Sequence, residues 1–287
     1  MYIKIKMLRQ FFEIIPFYLL ITILKILPFE NRVYWGGQFC KWILPRVKKF
    51  SERVDTNLRF VYPKMSSRER KEFIKENSNM IGKSFIELMF NREFQRRINK
   101  IKYKKKELIP LFEAKNKGKP LMIISGHIGS WEAVRAVLKN NGLTSGAIYQ
   151  RNRNIFYERL HLRAIKEGGE PILEVGTSGT KKMIALIRSG GIIALMIDQA
   201  VKEGDYFQFL GKPAKTSTSI AEISLKYDAL LIPAYGIRGS DDVINVSFDK
   251  PIKLTTVNSI TKKLNASLEK MVRCNPTQWY WPHRRWK

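Results

Sequence analysis

A chain of 287 residues with 44% hydrophobic content can bury one large core, or one core with a helical extension. Two widely separated cysteines, Cys40 and Cys274, give neither a metal-ligand spacing nor a disulfide framework and imply a reducing compartment. A formal charge of +27 excludes an electrostatically neutral role and calls for a polyanionic partner: nucleic acid, an anionic membrane or an acidic protein.

Residues 14–27 are mostly apolar, broken by Pro16 and Lys25 and preceded by Glu13. The run falls short of the roughly 20 residues that span a bilayer cleanly, and no small-residue cleavage site follows it. Nine Lys/Arg, including Lys4, Lys6, Lys48 and Lys49, stand against Glu13 and Glu30 in residues 1–50. This pattern predicts a membrane-anchoring helical segment over 1–50, either interfacial or marginally spanning, ahead of an α/β domain over 51–287. Ser66-Ser-Arg-Glu69 has capping-box spacing and opens a helix to about Phe90. Gly82-Lys83-Ser84 is no P-loop, because Asn77 stands where the first glycine belongs. Residues 92–106 carry eight Lys/Arg and one Glu with few aromatics between them. That suits a phosphate-rich or membrane surface better than a single-strand nucleic-acid platform.

From Leu121 the pattern alternates. Strands are predicted at 121–124, 147–149, 172–175, 192–198, 230–235 and 243–248, with helices at 131–141, 154–167, 181–189, 220–227 and 257–273. A loop with Phe207, Phe209, Leu210 and Gly211 follows Asp198, and Thr216-Ser-Thr218 caps the helix after it. The expected fold class is α/β: a mostly parallel central sheet flanked by helices, with an N-terminal helical membrane-associating extension.

The chemistry concentrates after the first of these strands. Gly126 and Gly129 form a turn holding His127, Ser130 is expected to cap the next helix, and Glu132 lies in that helix's first turn. On one regular helix positions five apart diverge by about 140°, so the pair meets only if His127 precedes the helix and Glu132 reaches back. Glu132 would then fix the imidazole tautomer, and the other nitrogen would take a proton from a hydroxyl. Arg151, Arg153 and Arg163 are candidates for an anionic acceptor or an oxyanion. Asp198 ends a buried strand, as site residues do in α/β folds. His161 reads as a surface histidine. The tail Trp279-Tyr-Trp-Pro-His-Arg-Arg-Trp286 fits a membrane interface or docking onto the body. There is no Gly-x-Ser-x-Gly elbow, no Gly-x-Gly-x-x-Gly loop and no recognisable nucleic-acid motif.

Four ordered segments together resemble the bacterial lipid A biosynthesis (lauroyl/myristoyl) acyltransferases of the lysophospholipid acyltransferase superfamily. They are Asn57-Leu-Arg-Phe-Val-Tyr-Pro-Lys-Met-Ser66, Gly126-His-Ile-Gly-Ser-Trp-Glu132, Asp198-Gln199, and Thr277-Gln-Trp-Tyr-Trp-Pro-His-Arg-Arg-Trp-Lys287. The resemblance implies acyl transfer from acyl carrier protein to a hydroxyl of a glycolipid at the cytoplasmic face of the inner membrane, without a further cofactor. His127 would be the base and Glu132 its partner, with Arg151, Arg163 and Asp198 on the substrate side and no metal. Three departures stand out: Gln150 where the family often has Arg, the interrupted Glu174-Val-Gly-Thr177, and Thr277 in place of a usual Glu. The alternatives are a phospholipid or other glycolipid acceptor, and a non-catalytic membrane-peripheral lipid-binding protein.

Overall fold

The computed structural model describes residues 2–286, with side chains from residue 7 onward; the side chains of Lys4 and Lys6, and Lys287, lie outside the described residues. Two helices, α1 (Tyr2–Leu24) and α2 (Phe29–Ile43), lead into α3 (Lys48–Val61) and α4 (Ser67–Met89). The capping box at α4 is formed: Ser66 Oγ accepts from the Glu69 amide while the Glu69 carboxylate accepts from the Ser66 amide. α2 lies close on α4 because a Cβ at Gly37 would overlap Asn79 and one at Gly82 would meet Cys40. α1 lies against the body through Tyr18 Oη, which donates to the Phe156 carbonyl (3.3 Å), and Phe17, which packs edge-on to Tyr157. Its stretch Met7–Leu24 is long and apolar enough to cross a membrane and is largely unburied.

After α5 (Asn91–Gln95), the short β1 (Ile101–Lys102) and α6 (Ile109–Asn116), the alternation begins: β2 (Leu121–Ser125), α7 (Glu132–Asn140), β3 (Gly146–Tyr149), α8 (Ile155–Lys166), β4 (Ile172–Glu174), α9 (Thr177–Arg188) and β5 (Ile192–Met196). A hairpin of β6 (Asp205–Phe209) and β7 (Lys212–Thr216) follows, then α10 (Ser219–Lys226), β8 (Leu230–Arg238), β9 (Ile244–Phe248) and α11 (Val257–Cys274). The seven-stranded sheet has the order β1-β9-β8-β2-β5-β3-β4, parallel at every pair except β8/β9. The expected α/β class and mostly parallel sheet are therefore present.

β2 shows why its sequence is an unbroken apolar run. Leu121 and Ile123 join the core cluster under α4, α7 and α8, while Met122 and Ile124 join the opposite cluster under α9, α10 and α11. A strand covered on both faces has no polar side to present. A third cluster gathers Val54, Leu58, Ile128 and Phe209 around Trp279 and Trp281 of the tail.

One local expectation is corrected and one refined. α7 begins at Glu132 with Trp131 before it and no side-chain cap, and the Ser130 hydroxyl is buried without a partner; the Ser130 amide is instead taken by the Gly236 carbonyl (2.8 Å), which pulls Ser130 onto the end of the sheet. At α10 the N-cap residue Thr218 does not cap through its own side chain, its hydroxyl donating to Glu222 (2.6 Å), and within the expected capping segment it is the Ser217 hydroxyl that accepts from the first helical amide, that of Ser219 (3.3 Å).

Gly129 has φ +58°, and a Cβ there would overlap the Gly236 carbonyl oxygen. Gly129→Ala therefore has to open the seam between the β2 turn and β8. It should destabilise the fold by about 2 kcal/mol or more, read as a lower denaturant midpoint in detergent, whereas Gly142→Ala, with open space around its Cβ, should cost about 1 kcal/mol, the left-handed backbone term alone.

Candidate active site

Sheet register places the central pair. β2 and β5 are parallel neighbours with Ser125 opposite Met196. Two residues further, where both strands leave the sheet at their carboxyl ends, His127 faces Asp198. The imidazole Nδ1 lies 2.8 Å from Asp198 Oδ1, and the His127 amide donates to Oδ2 at 2.7 Å. The Trp279 indole N–H donates to the same Oδ2 at 2.9 Å. Asp198 is fully buried. Burial alone would raise its pKa, but the charge of and hydrogen bonds from His127, together with His283, hold it well below the usual carboxylate range. The ionised carboxylate accepts the hydrogen bond from Nδ1–H, so in the neutral ring Nε2 carries the lone pair.

The tail clamps this turn. Gly129 donates its amide to the Gln278 carbonyl (3.0 Å), Tyr280 donates to the His127 carbonyl (2.8 Å), and the Gln278 side chain pairs with both backbone groups of Arg238 (2.7 and 3.0 Å). Asn77 Nδ2 donates to the Thr277 and Trp279 carbonyls, and Asn57 Nδ2 to those of Trp281 and His283. Asn57, the first residue of the segment that suggested the family, is thus a tail clamp. Docking onto the body is the outcome for this aromatic tail: Trp279 and Trp281 are both fully buried.

His127 borders a cavity of about 500 Å³ at the carboxyl ends of β2, β3 and β5. Its walls are mainly apolar, with Ile123, Ile148, Leu195 and Ile223 among them; Glu132, Tyr149 and His161 supply polar points. This size and lining match those of ligand sites in general. Glu132 faces the same space without engaging His127: its carboxylate accepts from Asn91 Nδ2 (3.0 Å) and pairs with Arg135 (3.2 Å). The expected His127–Glu132 bond is therefore replaced by His127–Asp198, because α7 starts at Glu132 and directs that side chain toward α5 and α8. Asp198, expected on the substrate side, is sealed behind His127. Arg151 and Arg163 are exposed and do not line the cavity.

His161, read as a surface residue, lines the cavity. Its ring stacks on Tyr157 (5.5 Å, 15°) and its Nδ1 lies 3.0 Å from Asn152 Nδ2. Burial holds its pKa below the ordinary histidine value. The signal was helical phase: Glu158, His161 and Ile165 share one face of α8, and the two flanking residues are buried. His283 was likewise unassigned. Its ring lies 4.8 Å from that of His127, with Nε2 buried, unpartnered and 3.8 Å from Asp198 Oδ2. Ligand atoms of His127, Asp198 and His283 lie within 4.8 Å of one another. Both Asp198 oxygens and His127 Nδ1 are already spent on each other and on Trp279, which is the arrangement of a supported base rather than of an open ligand set.

The chain matches the family described as bacterial lipid A biosynthesis acyltransferase over residues 3–287. It belongs to that family. A relative in Haemophilus influenzae (strain ATCC 51907 / DSM 11121 / KW20 / Rd), a lipid A biosynthesis acyltransferase, is 22% identical over 277 residues, which cover 91% of this chain and 83% of the relative.

In this acyltransferase family member the second imidazole has a thermodynamic signature. Burial depresses the His283 pKa to about 4, partly countered by Asp198. The unfolded chain takes up this proton first, near pH 6.5, so stability is undiminished above that pH and falls as pH drops from about 6.5 toward 4. Between pH 7 and 5 His283 should account for about 2 kcal/mol of lost unfolding free energy. His283→Asn should remove that part of the pH slope in denaturation curves; an unchanged slope contradicts a buried neutral His283.

Proposed function

We propose that this protein transfers a fatty acyl chain from acyl carrier protein to a hydroxyl of a lipid A precursor, with His127 as general base. The observation that carries the reading is the His127–Asp198 pair, with a free Nε2, on the wall of an apolar cavity. Nε2 takes the hydroxyl proton as the oxygen attacks the thioester carbonyl. A tetrahedral intermediate forms, the C–S bond breaks, and the imidazolium returns its proton to the leaving thiolate. Asp198 keeps the ring oriented and balances the imidazolium charge without itself taking the proton.

The cavity suits the hydrocarbon chain. Glu132, held by Arg135 and Asn91 at its wall, is a positioning group in this scheme rather than the partner of the base. The Gly129 and Ser130 amides are committed to the Gln278 and Gly236 carbonyls, so the N-terminal turn of α7 is the nearer source of N–H groups for the oxyanion. Arg151, next to the cavity-lining Gln150, and the exposed Arg163 serve docking of an anionic substrate. The net charge of +27 favours acidic acyl carrier protein and a phosphorylated lipid alike and gives no particular support to nucleic-acid binding. The apolar, exposed stretch Met7–Leu24 supports work at a membrane, placed on this reading at the cytoplasmic face of the inner membrane, where the carrier protein is.

The test is transfer from radiolabelled acyl carrier protein to a lipid A precursor, followed by mass spectrometry of the lipid. The wild type should add one acyl mass. His127→Ala should lose about 10³-fold or more in rate while staying folded at the assay temperature, with a lowered melting temperature because the buried Asp198 loses a partner. An active His127→Ala variant, or no acylation of the precursor by the wild type, rejects the reading.

A further inference from the structure

A second concavity, of about 670 Å³, lies between the start of α3 and the end of the tail. Lys48, Lys49 and Arg53 line one side, and Arg284 and Trp286 the other. Among the described lining residues the one carboxylate, Glu52, is 3.8 Å from Lys48 in an exposed pair, a contact of little strength in water. Among the described residues, Lys49, Arg53 and Arg284 have no carboxylate within ion-pair distance. Four cations facing one carboxylate make a site for an anion rather than a salt-bridged surface.

Two neighbours say which anion. The first is the catalytic turn. Arg284 follows His283, whose ring is 4.8 Å from that of His127, and Arg53 Nη1 reaches the Pro282 carbonyl (3.5 Å). The groove thus starts within one residue of the group that contacts the His127–Asp198 pair. The second is α2, whose Tyr34, Trp35, Phe39 and Trp42 are exposed. Aromatic residues left in solvent in this way mark the membrane interface. Arg46 stacks on Trp42 at 4.6 Å, and α3 starts two residues further on with Lys48 and Lys49. Aromatic and then basic is the order met in passing from acyl chains to phosphates in a leaflet.

We infer that the Lys48–Lys49–Arg53–Arg284 groove binds a phosphate of the glycolipid acceptor, holding that lipid's sugar beside His127 while the apolar cavity holds the acyl chain. This rests on the acyl-transfer reading above and adds to it a recognition element for the acceptor. Trp286 supplies a flat apolar face at the groove's end for the sugar.

The test compares acceptors in detergent mixed micelles with acyl carrier protein as donor: a phosphorylated lipid A precursor, the same lipid after phosphatase treatment, and the phosphorylated precursor with excess phosphatidylglycerol. The variant is Lys48→Gln/Lys49→Gln/Arg284→Gln, all three exposed and outside the catalytic pair. The wild type should show a KM for the phosphorylated lipid about ten-fold or more below that for the dephosphorylated one. The variant should lose that preference, with kcat within about two-fold. Phosphatidylglycerol should not compete. Equal KM values for the two lipids in the wild type, or an unchanged preference in the variant, overturn the assignment, and so does competition by phosphatidylglycerol, which marks a general bilayer anchor. Failure of the acyl-transfer reading shows separately, as no acylation of either lipid.

Discussion

A carboxylate removed from water, with three N–H groups aimed at it, is the constraint on which the rest of this molecule depends. Asp198 sits at the end of a central parallel strand, fully buried. An isolated carboxylate there would be prohibitively costly. The His127 amide, the His127 imidazole and the Trp279 indole make it tolerable. Two of these donors belong to His127 in the β2 turn and the third to Trp279 in the tail, so satisfying the charge of Asp198 in the β5 turn ties those three segments together. Gly126 belongs to the same arrangement: a Cβ there would lie 2.7 Å from Leu268 and 3.3 Å from Asp198.

The tail is therefore part of the site rather than an appendage. Its residues 278–280 add a short antiparallel pairing to the His127 turn, and Asn57 and Asn77 hold it from the helical layer. The tail and the turn it clamps border two unlike spaces: an apolar cavity that His127 lines toward β3 and α8, and a basic groove between α3 and Arg284. An acyl chain and an anionic head group have opposite solvation demands, and the two spaces differ in the same sense.

The strand–helix alternation from Leu121 onward and the Ser66–Glu69 capping box were legible because both are local patterns of period and spacing. The β6–β7 hairpin was not. Its two-residue turn is Leu210-Gly211, both with positive φ, where Asn-Gly is the recognisable signal. The site was half legible. His127 was found through its strand, glycines and turn, but the five-residue spacing to Glu132 drew attention to a local partner. The real partner is 71 residues away, and only strand order puts it there. Glu132 starts α7 and is occupied by Arg135 and Asn91. His161 was hidden by Arg159 and Arg163 beside it in sequence, although its helical phase matched the buried Glu158 and Ile165.

The central claim is that Asp198 acts on acyl transfer through His127 and not separately. A double-mutant cycle on the transfer rate measures this directly. Asp198→Asn alone should cost about 10³-fold, as a misoriented or mis-tautomerised base does, and the double variant with His127→Ala should be no slower than His127→Ala alone, since residues that act as a unit are non-additive. Losses that multiply, or an Asp198→Asn variant with wild-type rate, would contradict the account.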